Sequence, residues 1–255
     1  LTFYIIGDTK SSGDFTLPGC AYWSLEKQLS LNSRLARLLP VSHYARKNLG
    51  YIIARQNGAE LIIETDDDNY PTENFWNTFK NSEKSKTRCL SGTGWTNIYQ
   101  FFTEKNVWPR GYPLEELNTT KHIFEDIAEQ IVTCPIQQGL ADKNPDVDAV
   151  YRLTRSLPIT FNKDRSIALG PHSWSPFNSQ NTLWFKRVAP LMYLPSYCSF
   201  RMSDIWRSLI AQRILWINGW STLFFSPTLY QERNHHDLLA DFKDEIPGYL
   251  NNNKI

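Results

Sequence analysis

The chain opens on a short apolar run, Leu1 to Gly7, that halts at Gly7-Asp8 and reads as a buried strand. A polar loop follows from Thr9 to Gly13, then a weakly helical pattern over Ser24 to Leu29. Ser42 to Asn57 predicts a helix with Ala45, Leu49, Ile52 and Ile53 turned inward, and Gly58 stands where that helix would stop. Glu60 to Thr65 predicts a second strand that runs straight into Asp66-Asp67-Asp68. Strand, helix and strand in this order predict a parallel βαβ unit. From Thr72 to Asp142 the chain is mostly polar, with short apolar pieces at Ile98 to Phe102 and Ile123 to Ile131, and it is punctuated at Trp108-Pro109-Arg110-Gly111-Tyr112-Pro113. Asp148 to Thr154 and Leu183 to Leu194 are more regular. Ser203 to Asn218 is the clearest helix, because Ile205, Trp206, Leu209, Ile210, Ile214 and Ile217 recur at helical spacing before Gly219. Trp220 to Phe225 predicts the next strand. No repeat, low-complexity tract or linker interrupts the chain, so one domain over 1–255 is expected.

Composition narrows the function classes. With 41% hydrophobic and 21% charged residues, the 255-residue chain has an ordinary globular make-up. A formal net charge of +1 gives no electrostatic reason to expect a nucleic-acid backbone or an anionic membrane as partner. No apolar run approaches the roughly 18 residues a membrane span needs. The first residues are too short a run, and wrongly flanked, for a signal peptide; without an initiator Met the chain reads as an excised or processed domain. Cys20, Cys89, Cys134 and Cys198 are widely spaced without a CxxC pair, which argues against zinc and leaves thiols and disulfides both open. Aromatic residues make up 14%, with nine Trp; they fill a large core or offer faces to carbohydrate. Asn118-Thr119-Thr120 is a sequon, meaningful only in the secretory pathway.

The chemistry-bearing feature is the acidic triplet. Three adjacent carboxylates repel one another, and a strand end that carries them needs a cation or several donors. Mg²⁺ and Mn²⁺ take oxygen ligands and commonly bridge one or two carboxylates and a diphosphate. In open α/β sheets ligands sit at the carboxyl ends of strands, so a metal held there would carry a nucleotide diphosphate and act on it as a Lewis acid. The competing reading is a solvated acidic turn, which Asn69-Tyr70-Pro71 fits equally well.

Longer blocks decide between these readings. Tyr44 to Tyr51, Gly58-Ala59, Glu64 to Asn69, Trp108 to Leu114, Gln138 to Asp142, Asp146 to Leu153, Asn178 to Thr182 and Tyr230 to Asp237 resemble, in the same order, the STELLO group of glycosyltransferases. A more distant resemblance is to the plant reversibly glycosylated polypeptides, which act as UDP-arabinose mutases. It rests on the triplet, on Arg110 to Pro113, on Gly139-Leu140 with Pro145 to Ala149, and on Asp204-Ile205-Trp206. The resemblance implies an α/β, GT-A-like fold: a mixed, mostly parallel sheet flanked by helices in a single domain. It also implies Mn²⁺ or Mg²⁺ at a DxD-type motif, a nucleotide-sugar donor with UDP or GDP, and a carbohydrate or other hydroxyl acceptor. The expected activity is hexosyl or pentosyl transfer; the rivals are a nucleotide-sugar mutase and a silent binding or scaffold domain. Relatives of the STELLO group are longer and membrane-anchored, whereas this chain carries no span. The Golgi lumen is expected for a domain of such an anchored protein and the cytoplasm otherwise.

Residue roles follow from the same resemblance. Asp68 and Asp66 take the DxD positions, both as metal ligands, with Asp66 also toward ribose or sugar and Asp67 in the donor site or structural beside them. His236, ahead of His235, completes the metal shell. Asp204, at the start of the long helix, acts as the base in an inverting reaction or orients sugar hydroxyls in a retaining one; as a bare residue it is also an ordinary helix-start acid. Arg110 is expected to act in sugar transfer or to pair with a carboxylate. Arg46 and Lys47 meet the donor phosphates or form a solvated face. Asn181 and Thr182 contact donor or acceptor, and Asp146 and Asp148 are candidates for holding a turn.

Overall fold

A computed structural model describes the chain except residues 12, 79–81, 119–121 and 235. The strands are β1 (Phe3–Ile6), β2 (Cys20–Trp23), β3 (Leu61–Thr65), β4 (Asn69–Pro71), β5 (Lys84–Leu90), β6 (Gly94–Trp95), β7 (Glu129–Thr133), β8 (Ile136–Asp142), β9 (Ser166–Leu169), β10 (Ser173–Trp174), β11 (Asn181–Phe185) and β12 (Thr222–Gln231). The helices are α1 (Leu25–Leu29), α2 (Arg34–Leu38), α3 (Lys47–Gln56), α4 (Phe75–Thr78), α5 (Ala149–Thr154), α6 (Ser203–Ile217) and α7 (Leu238–Asn251).

The main sheet has eight strands in the order β3-β11-β8-β12-β9-β5-β7, with β4 pairing on β12. The GT-A-like α/β class expected from the sequence, a mixed sheet flanked by helices in one domain, is what the chain adopts. Its parallel ladders are β8 with β12 and β5 with β9; the other pairings are antiparallel. The expected βαβ unit is not closed by a ladder. β1 pairs in parallel with β2 in a separate two-stranded sheet, and β3 pairs with β11. α3 still packs on β1, so closely that a Cβ on Gly50 would lie 2.8 Å from Ile6 Cγ1. That contact turns the buried face of α3 toward Gly50 and Ala54. Ala45, Leu49 and Ile53 are buried as expected, and Ile52 is exposed.

α6 departs most from its sequence pattern. Ile205 and Leu209 are buried, yet Ile210, Ile214 and Ile217 face solvent, and the inward face carries Asp204, Arg207, Ser208 and Gln212. A buried polar face is tolerable only when its groups are paired. Arg207 donates to Glu64 of β3 at 2.7 Å and to the Met192 carbonyl, and Gln212 bonds both the N–H and the carbonyl of Ser175. The Arg207–Glu64 pair ties α6 to the strand that leads into the acidic triplet. One apolar core runs from α2 and α3 through Trp108, Tyr112 and Trp184 to Phe224. All four cysteines are free thiols. Among the described residues no helix is long and apolar enough to cross a membrane.

Strand direction fixes where a ligand can sit. β3, β8 and β12 point the same way and β11 runs against them. The residues just after β3, β8 and β12 therefore gather at one edge, together with those just before β11. This edge is the carboxyl end of three strands, the usual binding edge of an open α/β sheet.

Candidate functional site

A cleft of about 230 Å³ opens at that edge. One wall is Asp66, Asp67 and Asp68 with Tyr44 and Gln231; the other is Arg110, Asp146, Arg152, Arg201, Asp204, Arg233 and His236. Asn178 and Gln180 lie between them.

On the acidic wall each carboxylate has a different partner. Lys47 Nζ forms a close ion pair with Asp66 Oδ1, which also accepts 2.7 Å from the Tyr44 hydroxyl. Burial, then the charges of Asp66 and Asp204, push the Tyr44 hydroxyl well above its usual range and keep it a proton donor. Asp68 accepts from Gln231 Nε2 at 3.0 Å on both oxygens. Burial raises the Asp68 carboxyl; Gln231 draws it back, and the charges of Asp66 and Asp67 raise it again, leaving it above the ordinary value. Such a carboxylate gains from a cation. Asp67 is exposed.

The opposite wall is an interlocked set of arginines and carboxylates. Arg110 Nε and Nη2 grip Asp146 at 2.8 Å each. Its Nη1 and Nη2 donate to Asp204 at 3.2 and 3.1 Å, and Nη1 also bonds the Arg201 carbonyl. All five guanidinium N–H groups are used, so the carboxylate-paired reading of Arg110 holds. Gly111 makes the approach possible: its φ is +87°, and a Cβ there would lie 2.3 Å from Ile205 Cγ2 at the start of α6. Asp204 also accepts from the backbone N–H of Ile205 and Ser179, which fills all four of its lone-pair sites. Burial opposes charge on Asp146, but Arg110, Arg201 and Asn178 hold it far below the usual carboxylate range. α7 supports this wall from behind: Glu245 accepts from Arg201 at 2.9 Å, and Asp241 from Arg233 at 2.6 Å.

Several predicted site residues lie elsewhere. Arg46 is buried, with Nε on Gln28 at 2.8 Å and Nη1 on the Leu39 carbonyl, so it braces α1 and α2 and does not line the cleft. Lys47 spends its charge on Asp66 and bonds the Thr65 carbonyl. Asn181 and Thr182 are fully buried in β11, where they bond Thr228 and the Leu140 carbonyl, and Gln138 and the Asn178 carbonyl, respectively. Both are sheet residues. The cleft is reached instead by Asn178 and Gln180 of the same block. In the antiparallel register Asn181 faces Thr65. Continuing that register past the ladder brings residues 180 to 178 beside 66 to 68, a signal that needs the strand pairing to be read. His236 lines the cleft, but its Nδ1 lies 3.3 Å from Asp241, and burial with the Arg233 charge lowers its pKa toward the neutral ring. His235 lies outside the described residues, as do Thr119 and Thr120 of the sequon. Asp148 caps α5 through the Tyr151 N–H at 2.7 Å and accepts from Trp108 Nε1, a structural role that matches the turn-holding expectation. Tyr44, Arg152, Gln231 and Arg233 lie within the resembling blocks without an assigned role, and Arg201 lies outside them; all five were missed.

Among the described residues no group of three or more His, Cys, Asp or Glu side chains is arranged to hold a metal. Asp68 is a single carboxylate with an acceptor face on the cleft, a donor set that fits a cation whose other ligands come from a bound diphosphate.

Comparison with known proteins shows what the chain is similar to. Residues 201–255, which carry Arg201, Asp204, Arg233, His236, Asp241 and Glu245, match the family model described as STELLO glycosyltransferases. The chain is 31% identical to "Probable glycosyltransferase STELLO2" of Arabidopsis thaliana over 245 residues, 89% of this chain and 32% of that protein. It is 30% identical to "Probable glycosyltransferase STELLO1" of the same plant over the same shares. The chain thus spans about a third of the length of these relatives. With the family model matched at one end and both relatives aligned over 89% of its residues, the chain is a relative of the STELLO glycosyltransferases.

Proposed function

We propose that this domain transfers a sugar from a nucleoside-diphosphate sugar, with UDP as the first choice, to a hydroxyl acceptor, and that a divalent cation assists. The observation that carries this reading is the meeting of Asp68 and Asp204 in one cleft at the carboxyl ends of β3, β8 and β12. The names of the relatives support glycosyl transfer.

Asp68 would hold Mn²⁺ or Mg²⁺, which when bound neutralises charge on the departing diphosphate. Gln231 orients the Asp68 carboxylate by donating to both oxygens. Asp66, fixed by Lys47 and Tyr44, keeps one oxygen for a ribose or sugar hydroxyl. Asp204 has no lone-pair site left while Arg110 grips it, which argues against both proton abstraction and a direct bond to a sugar hydroxyl and leaves it a positioning role. In that role Asp204 holds the Ser179 N–H and the strap 178–180 against the cleft.

Calorimetry with UDP and GDP, with and without Mn²⁺, tests the reading, followed by mass spectrometry of UDP-sugars incubated with hydroxyl acceptors. Mn²⁺ is expected to strengthen UDP binding and to permit transfer. If Mn²⁺ strengthens the binding of neither nucleotide, the reading fails. Ring-isomerised sugar without acceptor would make the domain a mutase.

A further inference from the structure

Of the four arginines that line the cleft, Arg152 alone forms no ion pair with a described residue. Its Nη1 and Nη2 bond neutral acceptors, the Asn144 side chain at 3.4 Å and the Pro145 carbonyl at 2.9 Å. Its Nε is buried with no hydrogen-bond partner. A half-buried guanidinium so placed costs free energy that an anion would recover. The surroundings sharpen the demand. Burial and then the charge of Arg233 lower Arg152; Asp146 pulls it back, Arg201 lowers it again and Asp241 opposes, leaving it at about 10. Burial and Arg201 lower Arg233 as well. Three guanidinium groups thus crowd one wall, and α7 balances two of them through Asp241 and Glu245.

The position of this wall selects its ligand. Arg233 follows Gln231, the residue that holds Asp68, by two positions, so their Cα atoms are at most about 7 Å apart. Asp68, Arg152 and Arg233 line the same cleft, so a ligand that reaches Asp68 meets these guanidinium groups, which favour an anionic end. Guanidinium groups match phosphate oxygens in pairs. We propose that Arg152, flanked by Arg233 and Arg201, is the phosphoryl-binding wall of the cleft and takes the diphosphate of the donor directly, without a metal between them. This rests on the reading of the domain as a user of nucleoside-diphosphate sugars. It moves phosphate recognition from Lys47 and Arg110, whose charges are paired inside the protein, and from Arg46, which is buried away from the cleft, to residues to which the sequence assigned no role.

The test is titration of the domain with pyrophosphate, UDP and uridine in EDTA. Pyrophosphate and UDP are expected to bind in EDTA, and uridine to bind much more weakly. Arg152→Gln should weaken pyrophosphate and UDP about 10- to 100-fold in EDTA, the range for losing hydrogen bonds to a charged group. Arg152→Lys should lose less, and Lys186→Gln, an exposed charge paired with Glu60, should change nothing. Circular dichroism and melting establish that each variant is folded; should Arg152→Gln fail to fold, Arg233→Gln carries the same expectation. The proposal is overturned if the wild-type domain does not bind pyrophosphate in EDTA, or if folded Arg152→Gln binds it as tightly as wild type. Because these arms need neither metal nor sugar transfer, their outcome is separate from that of the Mn²⁺ titration above.

Discussion

The two walls of the cleft are built on opposite plans. The acidic wall is contiguous in the chain: Asp66, Asp67 and Asp68 follow one strand, and two of them remain partly open to solvent with few partners. The arginine wall draws on residues from 110 to 245, and its charges are buried and cross-linked. A buried ion pair is expensive to break because the surviving partner is left uncompensated, whereas an exposed carboxylate is cheap to neutralise. The first wall is therefore free to serve a ligand, and the second mainly holds the site in shape, apart from the cation it leaves unpaired.

The largest effect is expected where that contrast is broken outright. Arg110→Met leaves Asp146 and Asp204 buried beside each other without their shared cation. It should cost about 3–5 kcal/mol, which at this chain length lowers the melting temperature by roughly 6–20 °C. Adding Asp204→Asn to that variant should recover part of the loss, since one of the stranded charges is removed. A melting temperature within about 2 °C of wild type for Arg110→Met would mean that the wall is not held by this pairing.

Asp68→Asn asks the reverse question. The side chain is half-buried, the amide oxygen still accepts from Gln231, and a charge repelled by Asp66 and Asp67 disappears, so stability should stay within about 1 kcal/mol. The Mn²⁺-dependent gain in UDP affinity should fall by about 100-fold or more, beyond the loss seen when an outer-shell partner of a metal is removed. Survival of that gain would move the metal away from Asp68.

This contrast also explains what was legible in the sequence. The triplet and β3 were readable because an apolar run and its acidic end are neighbours in the chain. α6 was readable as a helix, but not its orientation: the apolar residues at helical spacing include Ile210, Ile214 and Ile217, which face solvent, while Asp204, Arg207 and Gln212 face inward. β8 was missed because Gln137 and Gln138 break its apolar pattern; both are buried and bonded, Gln137 to the Ser82 and Cys134 carbonyls and Gln138 to Thr182, Asn178 and Asn181. β5 alternates Lys84, Lys86 and Arg88 with Ser85, Thr87 and Cys89, and its buried face is mostly polar. Partners that lie tens of residues apart decide these cases, and a periodicity argument contains none of them. The same limit hid Arg152, Arg201 and Arg233.

A smaller effect comes from Asp148, behind the arginine wall. Burial pushes its carboxyl up to about 6, against bonds from Tyr151 and Trp108. The folded state therefore holds this proton more tightly than the unfolded chain. Its contribution to stability is full below about pH 4 and is lost as pH rises through about 6, a change of at most about 3 kcal/mol. Asp148→Asn should lack this step, so wild type should lose stability relative to the variant between pH 4 and 7 in urea unfolding. Parallel pH profiles for the two proteins would remove Asp148 from the account.

Asp67→Asn should do least, and that makes it the finest probe of the acidic wall. Asp67 is exposed and makes no hydrogen bond or ion pair with a described residue, so stability should change by no more than about 0.5 kcal/mol. Its charge still reaches Asp68, where it favours the protonated form. Neutralising it removes one repulsion from the Asp68 carboxylate and, at the same time, one attraction for an approaching cation. These effects oppose each other, and at exposed sites screening by salt shrinks both. Mn²⁺-dependent UDP affinity should therefore change less than about threefold at physiological salt, under 1 kcal/mol. A loss as large as that of Asp68→Asn would make Asp67 a direct ligand and turn the working pair of the triplet into Asp67 and Asp68.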